Sequence, residues 1–275
     1  MNSLKFHKMQ GAGNDFVVLD NREMGLTMDE IIMLTPRLCD RKFGIGADGL
    51  LELELPQVDG VDFTMVYRNA DGSDAGMCGN GARCLAMFAA HHGLTNKLSF
   101  NVHDTIYKAV VDKIEQSVTV YFPDVELPKW IEIEDHKLIQ VYPNTEHVVC
   151  LIDRNTLEDE EDLAEIGSKI RYSEKLNPPG TNVNFINLQE DTSVYLQTYE
   201  RGVEGLTLAC GTGAIASAIS AHFISGGLAG EFSTIVHVKG GDLEVSFAFN
   251  PKLNIYHKVT LKGPAEFVYE GTIHI

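Results

Sequence analysis

The chain has 275 residues, 44% hydrophobic and 22% charged, a composition typical of a globular protein. Its 22 Lys and Arg against 39 Asp and Glu give a net charge of −17. This acidic balance argues against nucleic acid and anionic membranes as partners, because both attract basic surfaces. The sequence opens without a signal-peptide-like run, and no stretch approaches the roughly 18 consecutive apolar residues of a membrane span.

The number of cysteines indicates the compartment in which the protein works. Five cysteines are an odd and sparse count for a chain of this length. Such a count fits a reducing cytosol better than a disulfide scaffold. We therefore expect a cytoplasmic protein.

In the first half of the chain, alternating apolar and polar residues predict strands on either side of one amphipathic helix. The helix is predicted over residues 27–39, with Thr27 as its cap and Asp29 and Glu30 in its first turn. Strands are predicted over residues 4–9, 15–20, 50–55, 62–68, 97–102, 107–113 and 117–123.

The second half repeats this order. An acidic-faced helix is predicted over residues 158–170. Strands are predicted over residues 138–141, 146–152, 183–188, 193–199, 235–238, 243–249 and 258–262. A surplus strand over residues 268–275 has no counterpart in the first half, and we expect it to return and complete the N-terminal unit.

One short motif occurs twice: a cysteine on a Gly-x-Gly turn that leads into a nearly uncharged segment. The two copies are Cys78-Gly79-Asn80-Gly81-Ala82 and Cys210-Gly211-Thr212-Gly213-Ala214. An apolar segment of helical length without a polar face is typical of a helix buried in a domain core. Each cysteine is therefore predicted to lie at the start of a buried helix.

The two cysteines are 132 residues apart, and other segments repeat at the same offset. Asp15 precedes an apolar strand and aligns with His147, while Tyr67 aligns with Tyr199. Three matching segments at one offset predict an internal duplication of an α/β unit of roughly 120–130 residues.

A cysteine at a helix N-terminus is chemically distinctive. Exposed N–H groups and the helix dipole favour its thiolate, and the same N–H groups bind carboxylates. If the two copies face each other, one sulfur would lie on each face of the α-carbon of an amino acid. One thiolate could then remove the α-proton while the other thiol protonates the opposite face. This chemistry calls for neither a metal nor a cofactor.

Plainer interpretations exist for the same residues. A lone buried cysteine is usually a small hydrophobic residue, and we predict this for Cys39, Cys84 and Cys150. Cys84 lies about 240° around the helix from Cys78, so the two cannot share a metal. Neither Gly-x-Gly turn continues into the Gly-Lys-Ser/Thr of a phosphate-binding loop.

Polar residues that open or close apolar strands are further candidates for the site. They are Asn14, Asn69, His147, Asn182, Glu200 and Arg201. Each alone is more often a turn or capping residue than a ligand contact. Glu200 and Arg201 form an exception, because an adjacent carboxylate and guanidinium could bind a zwitterionic amino acid.

Several segments together resemble the diaminopimelate epimerase family. These are residues 11–16, 69–73, 77–84, 200–202 and 209–214, which match in order along the chain. The resemblance implies two pseudo-symmetric domains, each a curved, mainly antiparallel sheet around a buried central helix. We place the N-terminal half at residues 1–122, completed by a strand at about 264–275, and the C-terminal half at residues 123–263.

The resemblance also implies an activity: cofactor-independent epimerisation of L,L-diaminopimelate to the meso isomer, in lysine and cell-wall biosynthesis, by a homodimer. Cys78 and Cys210 would be the acid–base pair, with His147 and Glu200 tuning or deprotonating the thiols. The substrate-binding residues would be Asn14, Asn69, Gly79, Asn80, Asn182, Glu200, Arg201, Gly211 and Thr212. Which thiol acts on which isomer is left open.

Three positions depart from the family pattern. Thr145 stands where a substrate-binding asparagine is expected, and Asn144 is its neighbour. Gly49 stands where some members carry glutamine, and Leu206 where glutamate is common. Two alternatives therefore remain: a racemase of another amino acid on the same fold, or a non-catalytic amino-acid-binding relative. The two cysteines disfavour the second, because binding alone does not require two thiols.

Overall fold

The computed structural model describes residues 3–133 and 135–275. The chain forms two compact units, Met1–Val120 with Gly263–Ile275, and Tyr121–Lys262. Both units are mixed α/β, which confirms the predicted fold class. None of the described helices combines the length and apolar character that a membrane crossing requires.

The regular elements alternate between strands and a few helices. The strands are β1 (Ser3–Gly11), β2 (Asn14–Asp20), β3 (Gly49–Glu54), β4 (Phe63–Asn69), β5 (Lys97–Val102), β6 (Thr105–Asp112), β7 (Ser117–Tyr121), β8 (Val125–Glu126), β9 (Lys129–Ile133), β10 (His136–Val141), β11 (His147–Leu151), β12 (Asn182–Leu188), β13 (Val194–Glu200), β14 (Gly205–Thr207), β15 (Gly230–Val238), β16 (Gly241–Asn250), β17 (Ile255–Pro264) and β18 (Glu266–His274). The helices are α1 (Asn21–Met24), α2 (Met28–Cys39), α3 (Gly79–His91), α4 (Arg154–Leu157), α5 (Glu160–Arg171) and α6 (Gly211–Ile224).

In the first unit, hydrogen-bonded strands follow the order β18-β1-β2-β3-β4-β5-β6. Only β2–β3 and β4–β5 are parallel. A parallel pair needs a crossover, and helices supply it here: α1 and α2 follow β2, and α3 follows β4. The C-terminal strand β18 pairs antiparallel with β1, with Leu4 opposite Ile273. The last segment of the chain thus lies beside the first.

The second unit repeats this order with β9-β10-β11-β12-β13-β15-β16. Again only two pairs are parallel, β11–β12 and β13–β15, and α4 with α5 and then α6 supply the crossovers. The matching order of strands and helices supports the predicted duplication. Strands β8, β9 and β14 and helices α1 and α4 were not predicted, because elements of two to five residues carry too little periodicity.

Helix α2 begins as its sequence predicts. Thr27 Oγ1 accepts a hydrogen bond from the Glu30 N–H at 3.3 Å, and the Glu30 carboxylate accepts one from the Thr27 N–H at 2.8 Å. This reciprocal capping box satisfies two N–H groups that a helix start otherwise leaves open. The cap prediction for Thr27 is confirmed.

The two central helices are buried, as predicted. In α3, every residue from Gly79 to Ala90 is buried, and in α6 burial runs from Gly211 to Ser220. Arg83 is the one arginine or lysine of α3 and is wholly buried. Its guanidinium donates to the Pro264 carbonyl at 3.1 Å and to Asn80 Oδ1 at 3.0 Å. These bonds offset the cost of removing the charge from water, while burial lowers the pKa of Arg83.

The three cysteines predicted to be core residues are buried. Cys39 and Cys150 pack in the hydrophobic clusters of the first and second unit, and Cys84 lies inside α3. Burial raises the pKa of Cys39 and of Cys84 to about 12, and that of Cys150 to about 11. Thiols with such pKa values stay protonated near neutral pH and are poor nucleophiles.

Glu52, at the centre of β3, is a fully buried carboxyl group. Burial, and then the neighbouring Glu54, raise its pKa to about 9, against a weaker opposing effect of Arg68. The folded protein therefore holds Glu52 as the neutral acid at pH 7, whereas the unfolded chain ionises it above about pH 4.5. This difference makes the folded state less stable as the pH rises.

We predict that Glu52→Gln removes this pH dependence. Wild type should lose stability as the pH rises, whereas the variant should not. The free energy of unfolding of the variant minus that of wild type should therefore increase by about 1.4 kcal/mol per pH unit between about pH 5.5 and 8. Urea unfolding across that range measures it. Glu132→Gln, at an exposed carboxylate of β9, is the control. Its free energy of unfolding should change with pH as that of wild type does. A constant difference between Glu52→Gln and wild type would contradict a neutral Glu52.

Candidate functional site

The two motif cysteines cap their helices in the same way. Cys78 is the N-cap of α3 with φ −121° and ψ 117°, and Cys210 is the N-cap of α6 with φ −121° and ψ 113°. Each sulfur accepts a hydrogen bond from the N–H three residues later, of Gly81 or Gly213, at 3.4 Å. The predicted position of each cysteine at a helix start is confirmed.

Close packing on the sheet explains the second glycine of each motif. A Cβ on Gly213 would lie 2.5 Å from Asn184 Oδ1, and a Cβ on Gly81 would lie 3.0 Å from Leu51 Cδ2. Real Cβ atoms almost never come as close as the first of these distances. Glycine therefore lets the helix start, and the cysteine with it, approach the strands directly.

In the first unit, Asn14 faces Cys78. Its Nδ2 donates to Asp48 Oδ2 at 2.8 Å, which turns Oδ1 toward α3. There Oδ1 accepts from the Cys78 thiol at 3.7 Å and from Asn80 Nδ2 at 3.4 Å. The structure thus brings together three of the predicted site residues, Cys78, Asn14 and Asn80.

A charge network holds Asp48 and the start of β2. Arg41 donates to Asp15 Oδ1 and to Asp48 Oδ1, both at 2.7 Å, and Lys8 donates to Asp15 Oδ2 at 2.6 Å. Burial alone raises the pKa of Asp15, but the bonds from Arg41 and Lys8 outweigh it and hold that pKa at about 2. Asp15 is therefore an anion at neutral pH, and it anchors the segment that carries Asn14.

Asn69 lies at the end of β4, opposite Gly49 on β3. Its Nδ2 donates to Ser73 Oγ at 3.0 Å, and its backbone N–H to the Ser73 carbonyl at 2.9 Å. A Cβ on Gly49 would lie 2.5 Å from the Arg68 carbonyl oxygen and 2.6 Å from the Tyr67 ring. Packing around Gly49 therefore leaves no space for a side chain at this departure from the family pattern.

In the second unit, His147 is the centre of a buried polar cluster. The ring is fully buried at the start of β11. Its Nε2 lies 2.9 Å from Thr145 Oγ1 and 3.0 Å from Thr212 Oγ1, and its Nδ1 lies 3.0 Å from Asn184 Nδ2. Thr212 Oγ1 is in turn 3.7 Å from the Cys210 sulfur. One hydroxyl group therefore links the imidazole to the thiol.

Burial decides the charge of His147. It lowers the pKa of the imidazole to about 3. The ring is therefore neutral at pH 7. As a neutral imidazole, it carries one N–H and can accept at the other nitrogen.

Asn182 and Arg201 form the rim of this cluster. Asn182 Oδ1 accepts from the Arg201 backbone N–H at 2.9 Å, and its Nδ2 donates to the Glu146 carbonyl at 3.2 Å and lies 3.4 Å from His147 Nε2. The Arg201 guanidinium pairs with the Glu146 carboxylate at 2.8 Å. Glu200, half-buried at the end of β13, lies opposite Gly205.

The other two departures from the family pattern have distinct surroundings. Thr145 belongs to the polar cluster through its contact with His147. Leu206 instead packs against the apolar core of the second unit, beside residues such as Tyr199. A carboxylate would be poorly placed there, because its charge would lose solvent without a partner.

Sequence reasoning did not single out Asp48, Glu146 or Asn184. Asp48 lies in a glycine-rich turn that looks uninformative by itself. Asn184 does carry a signal, since a polar residue inside the apolar strand 183–188 needs a hydrogen-bond partner. Among the residues described, no three His, Cys, Asp or Glu side chains gather in an arrangement that could hold a metal ion.

Comparison with protein families gives a match over most of the chain. The model of the family described as "Diaminopimelate epimerase" matches residues 6–122 and 140–268. The chain belongs to the diaminopimelate epimerase family. A relative from Flavobacterium psychrophilum, named diaminopimelate epimerase, is 40% identical and covers 98% of this chain and 100% of that relative. A second, from Aquifex aeolicus, is 35% identical over 98% of each chain.

Solved structures share the fold of this family member at low sequence identity. A phenazine biosynthesis protein of the PhzF family from Bacillus anthracis has a TM-score of 0.75 at 13% identity and covers 100% of both chains. A hydroxyproline epimerase from Agrobacterium vitis has a TM-score of 0.74 at 14% identity and covers 99% of this chain and 91% of that one. These two likenesses support the predicted two-domain α/β fold.

We predict that Gly213→Ala destabilises the protein by about 1–3 kcal/mol, because the new methyl group overlaps Asn184 and must push α6 outward. Urea unfolding measures the loss. Gly205→Ala is the matched control, since a Cβ there meets no atom within 4 Å. Equal stability of the two variants would contradict the close approach of α6 to the sheet.

We also predict an acid-sensitive contribution from His147. Its pKa is lowered from 6.5 to about 3, so the unfolded chain takes up a proton that the folded state refuses as the pH falls below 6.5. Stability from this group is present above that pH and is lost below it, at up to about 1.4 kcal/mol per pH unit. In urea unfolding, the free energy of unfolding of His147→Gln should fall less steeply than that of wild type between about pH 6.5 and 5. His274→Gln, at an exposed histidine, should follow wild type.

Proposed function

We propose that this protein is a cofactor-independent epimerase that converts L,L-diaminopimelate to the meso isomer, in lysine and peptidoglycan-precursor biosynthesis. Membership of the diaminopimelate epimerase family supports the reaction. The observation that carries the mechanism is the matching N-cap position of the two cysteines. Cys78 and Cys210 adopt nearly the same backbone angles at the start of two buried helices. A thiol repeated at the same helix position fits a reaction that needs one acid and one base of the same kind.

The proposed chemistry moves one proton off the α-carbon and another onto it. One cysteine, as thiolate, takes the α-proton, and the C–H electron pair moves into the carboxylate as an enediolate. The other cysteine, as thiol, gives its proton to the opposite face of the α-carbon. Inversion requires the two sulfur atoms to reach opposite faces of the same α-carbon. After turnover, each cysteine holds the protonation state that the reverse reaction needs.

Helix N-termini supply the electrostatic part of the mechanism. The first N–H groups of a helix have no partner within the helix and carry the positive end of its dipole. We assign the backbone N–H groups of Gly79, Asn80, Gly211 and Thr212 to the substrate carboxylate. Their stabilising effect grows as negative charge develops on that carboxylate, in the manner of an oxyanion hole.

The remaining predicted residues take binding and tuning roles in this proposal. Asn14, Asn69, Asn182 and Arg201 bind the polar groups of the substrate, and the ion pair with Glu146 orients Arg201. Glu200 binds the substrate and adjusts the protonation of the thiols together with His147. Because His147 is neutral, it acts through hydrogen bonds rather than as a cation.

A second candidate substrate is another amino acid on the same two-thiol site. The observation that favours it is the set of departures at the positions expected to bind the far end of diaminopimelate. Thr145 is engaged with His147, and Gly49 has no room for a side chain. Neither departure alters the two cysteines, so the same inversion chemistry would apply.

We predict that the purified protein, without added cofactor, exchanges the α-hydrogen of L,L-diaminopimelate for deuterium in D2O and forms the meso isomer. NMR under reducing conditions detects both events. The control is the same assay with a panel of other amino acids. Exchange confined to another amino acid would select the second candidate, and a lack of exchange in all of them would refute the epimerase activity.

Replacement of either cysteine should abolish most of the turnover. Cys78→Ser and Cys210→Ser should each lower kcat by at least about 100-fold, since general acid–base catalysis contributes 10²–10⁴-fold. Cys150→Ala is the control, because Cys150 packs in the core with a pKa raised to about 11, and it should retain activity. Near-normal rates in either serine variant would refute the two-thiol mechanism.

The family resemblance further implies a homodimer in the cytoplasm, and we propose both. The cytoplasm is compatible with the cysteines, since none of the five forms a disulfide in the part of the chain that the structure describes. Sedimentation velocity of the full chain measures the mass in solution. A single species at the monomer mass of 30.3 kDa would exclude the dimer under the conditions used.

A further inference from the structure

A line of polar side chains crosses the sheet beneath α6. Asn184 on β12 is fully buried between His147 on β11 and Thr198 on β13. Its Oδ1 accepts from Thr198 Oγ1 at 3.0 Å, and its Nδ2 donates to the Val148 carbonyl at 3.0 Å. In the first unit, the three atoms nearest a Cβ on the equivalent glycine, Gly81, belong to Leu51, Met65 and Cys78.

The surroundings determine which way the Asn184 amide points. A carbonyl oxygen can only accept, so the amide atom beside Val148 must be the NH₂ group. The same NH₂ group lies 3.0 Å from His147 Nδ1. Nδ1 must therefore accept, and a neutral imidazole that accepts at Nδ1 carries its hydrogen on Nε2. The Asn182 NH₂ group, 3.4 Å from Nε2, then makes no hydrogen bond to the ring and donates to the Glu146 carbonyl instead.

This tautomer has a consequence for the two threonine hydroxyl groups beside Nε2. With a hydrogen on Nε2, the ring donates toward Thr145 Oγ1 at 2.9 Å and Thr212 Oγ1 at 3.0 Å and cannot accept from either. The Thr212 hydroxyl hydrogen is then available to the Cys210 sulfur at 3.7 Å. That sulfur already accepts from the Gly213 N–H at 3.4 Å, and the hydroxyl adds a further donor to it.

We propose that Asn184 is a positioning residue for Cys210. By holding His147 as the Nε2-protonated tautomer, it keeps the Thr212 hydroxyl as a hydrogen-bond donor to the cysteine sulfur. Donors at sulfur favour the thiolate, which is the form that can remove a proton. This role in catalysis rests on the function proposed above, whereas the tautomer and the thiol environment exist without turnover.

Asn184→Asp tests the proposal with almost no change of shape. A carboxylate accepts from Nδ1 and draws the hydrogen to that nitrogen, which leaves Nε2 as an acceptor that competes with Cys210 for the Thr212 hydroxyl. The ¹⁵N NMR spectrum of the His147 ring should switch from the Nε2–H to the Nδ1–H pattern. Alkylation of Cys210 by iodoacetamide, followed by mass spectrometry of its peptide, should slow about five- to tenfold at pH 7.

Asn187→Asp is the matched control. Asn187 lies on the same strand, and its Nδ2 also donates to a backbone carbonyl, that of Ile152, at 2.9 Å. If strand asparagines that donate to a backbone carbonyl had a merely structural role, the two variants would behave alike. We expect Asn187→Asp to retain the wild-type tautomer and the wild-type alkylation rate.

Thr212→Val gives a second test if Asn184→Asp fails to fold. Valine has the shape of threonine without its hydroxyl, so Cys210 loses the donor while His147 keeps its tautomer. Alkylation of Cys210 should slow to a similar extent, and its pH profile should move to higher pH. A wild-type rate in Thr212→Val, or a wild-type tautomer in folded Asn184→Asp, overturns the proposal.

These readouts separate the proposal from the epimerase activity. If no amino acid undergoes exchange but both variants slow alkylation, the proposed function fails and the role of Asn184 at the thiol stands. If exchange occurs in wild type, Asn184→Asp should lower kcat more than it changes KM, because the thiol acts on bound substrate. Unchanged kcat together with unchanged alkylation would refute the role of Asn184 and leave the epimerase intact.

Discussion

The direct approach of a helix start to its sheet is the constraint on which the rest of each unit depends. Gly81 and Gly213 lack a side chain where a Cβ would meet Leu51 or Asn184. Only this contact lets Cys78 and Cys210 cap helices whose following turns are wholly buried. A cysteine at that position keeps its sulfur beside the backbone N–H groups while the helix behind it supplies the dipole.

Two units with matching backbones hold different chemistry around the thiol. In the first, the amide oxygen of Asn14 accepts from Cys78, and a network of Asp48, Arg41 and Asp15 holds that amide. In the second, a threonine hydroxyl lies between Cys210 and a neutral histidine. An internal duplication conserves strand order because the core requires it, whereas the groups at the helix start can diverge without a change of fold.

Three fully buried ionisable groups, Arg83, His147 and Glu52, are each either neutral or held by hydrogen-bond partners. Arg83 remains a cation because carbonyl and amide oxygens surround its guanidinium. His147 stays neutral because burial lowers its pKa to about 3, and Glu52 does so because burial raises its pKa to about 9. Neutral groups can donate and accept in fixed directions, and such directionality is what orients the cluster around Cys210.

The sequence by itself determined the α/β class, the duplication and the two buried helices with a cysteine at each start. These follow from local periodicity and from a motif repeated at a constant spacing of 132 residues. Tertiary structure alone decided which polar side chains meet. Asn184, Asp48 and Glu146 lie far along the chain from His147, Asn14 and Arg201, their partners. Hydrogen-bond direction and burial depend on such long-range neighbours, and no local pattern in the sequence encodes them.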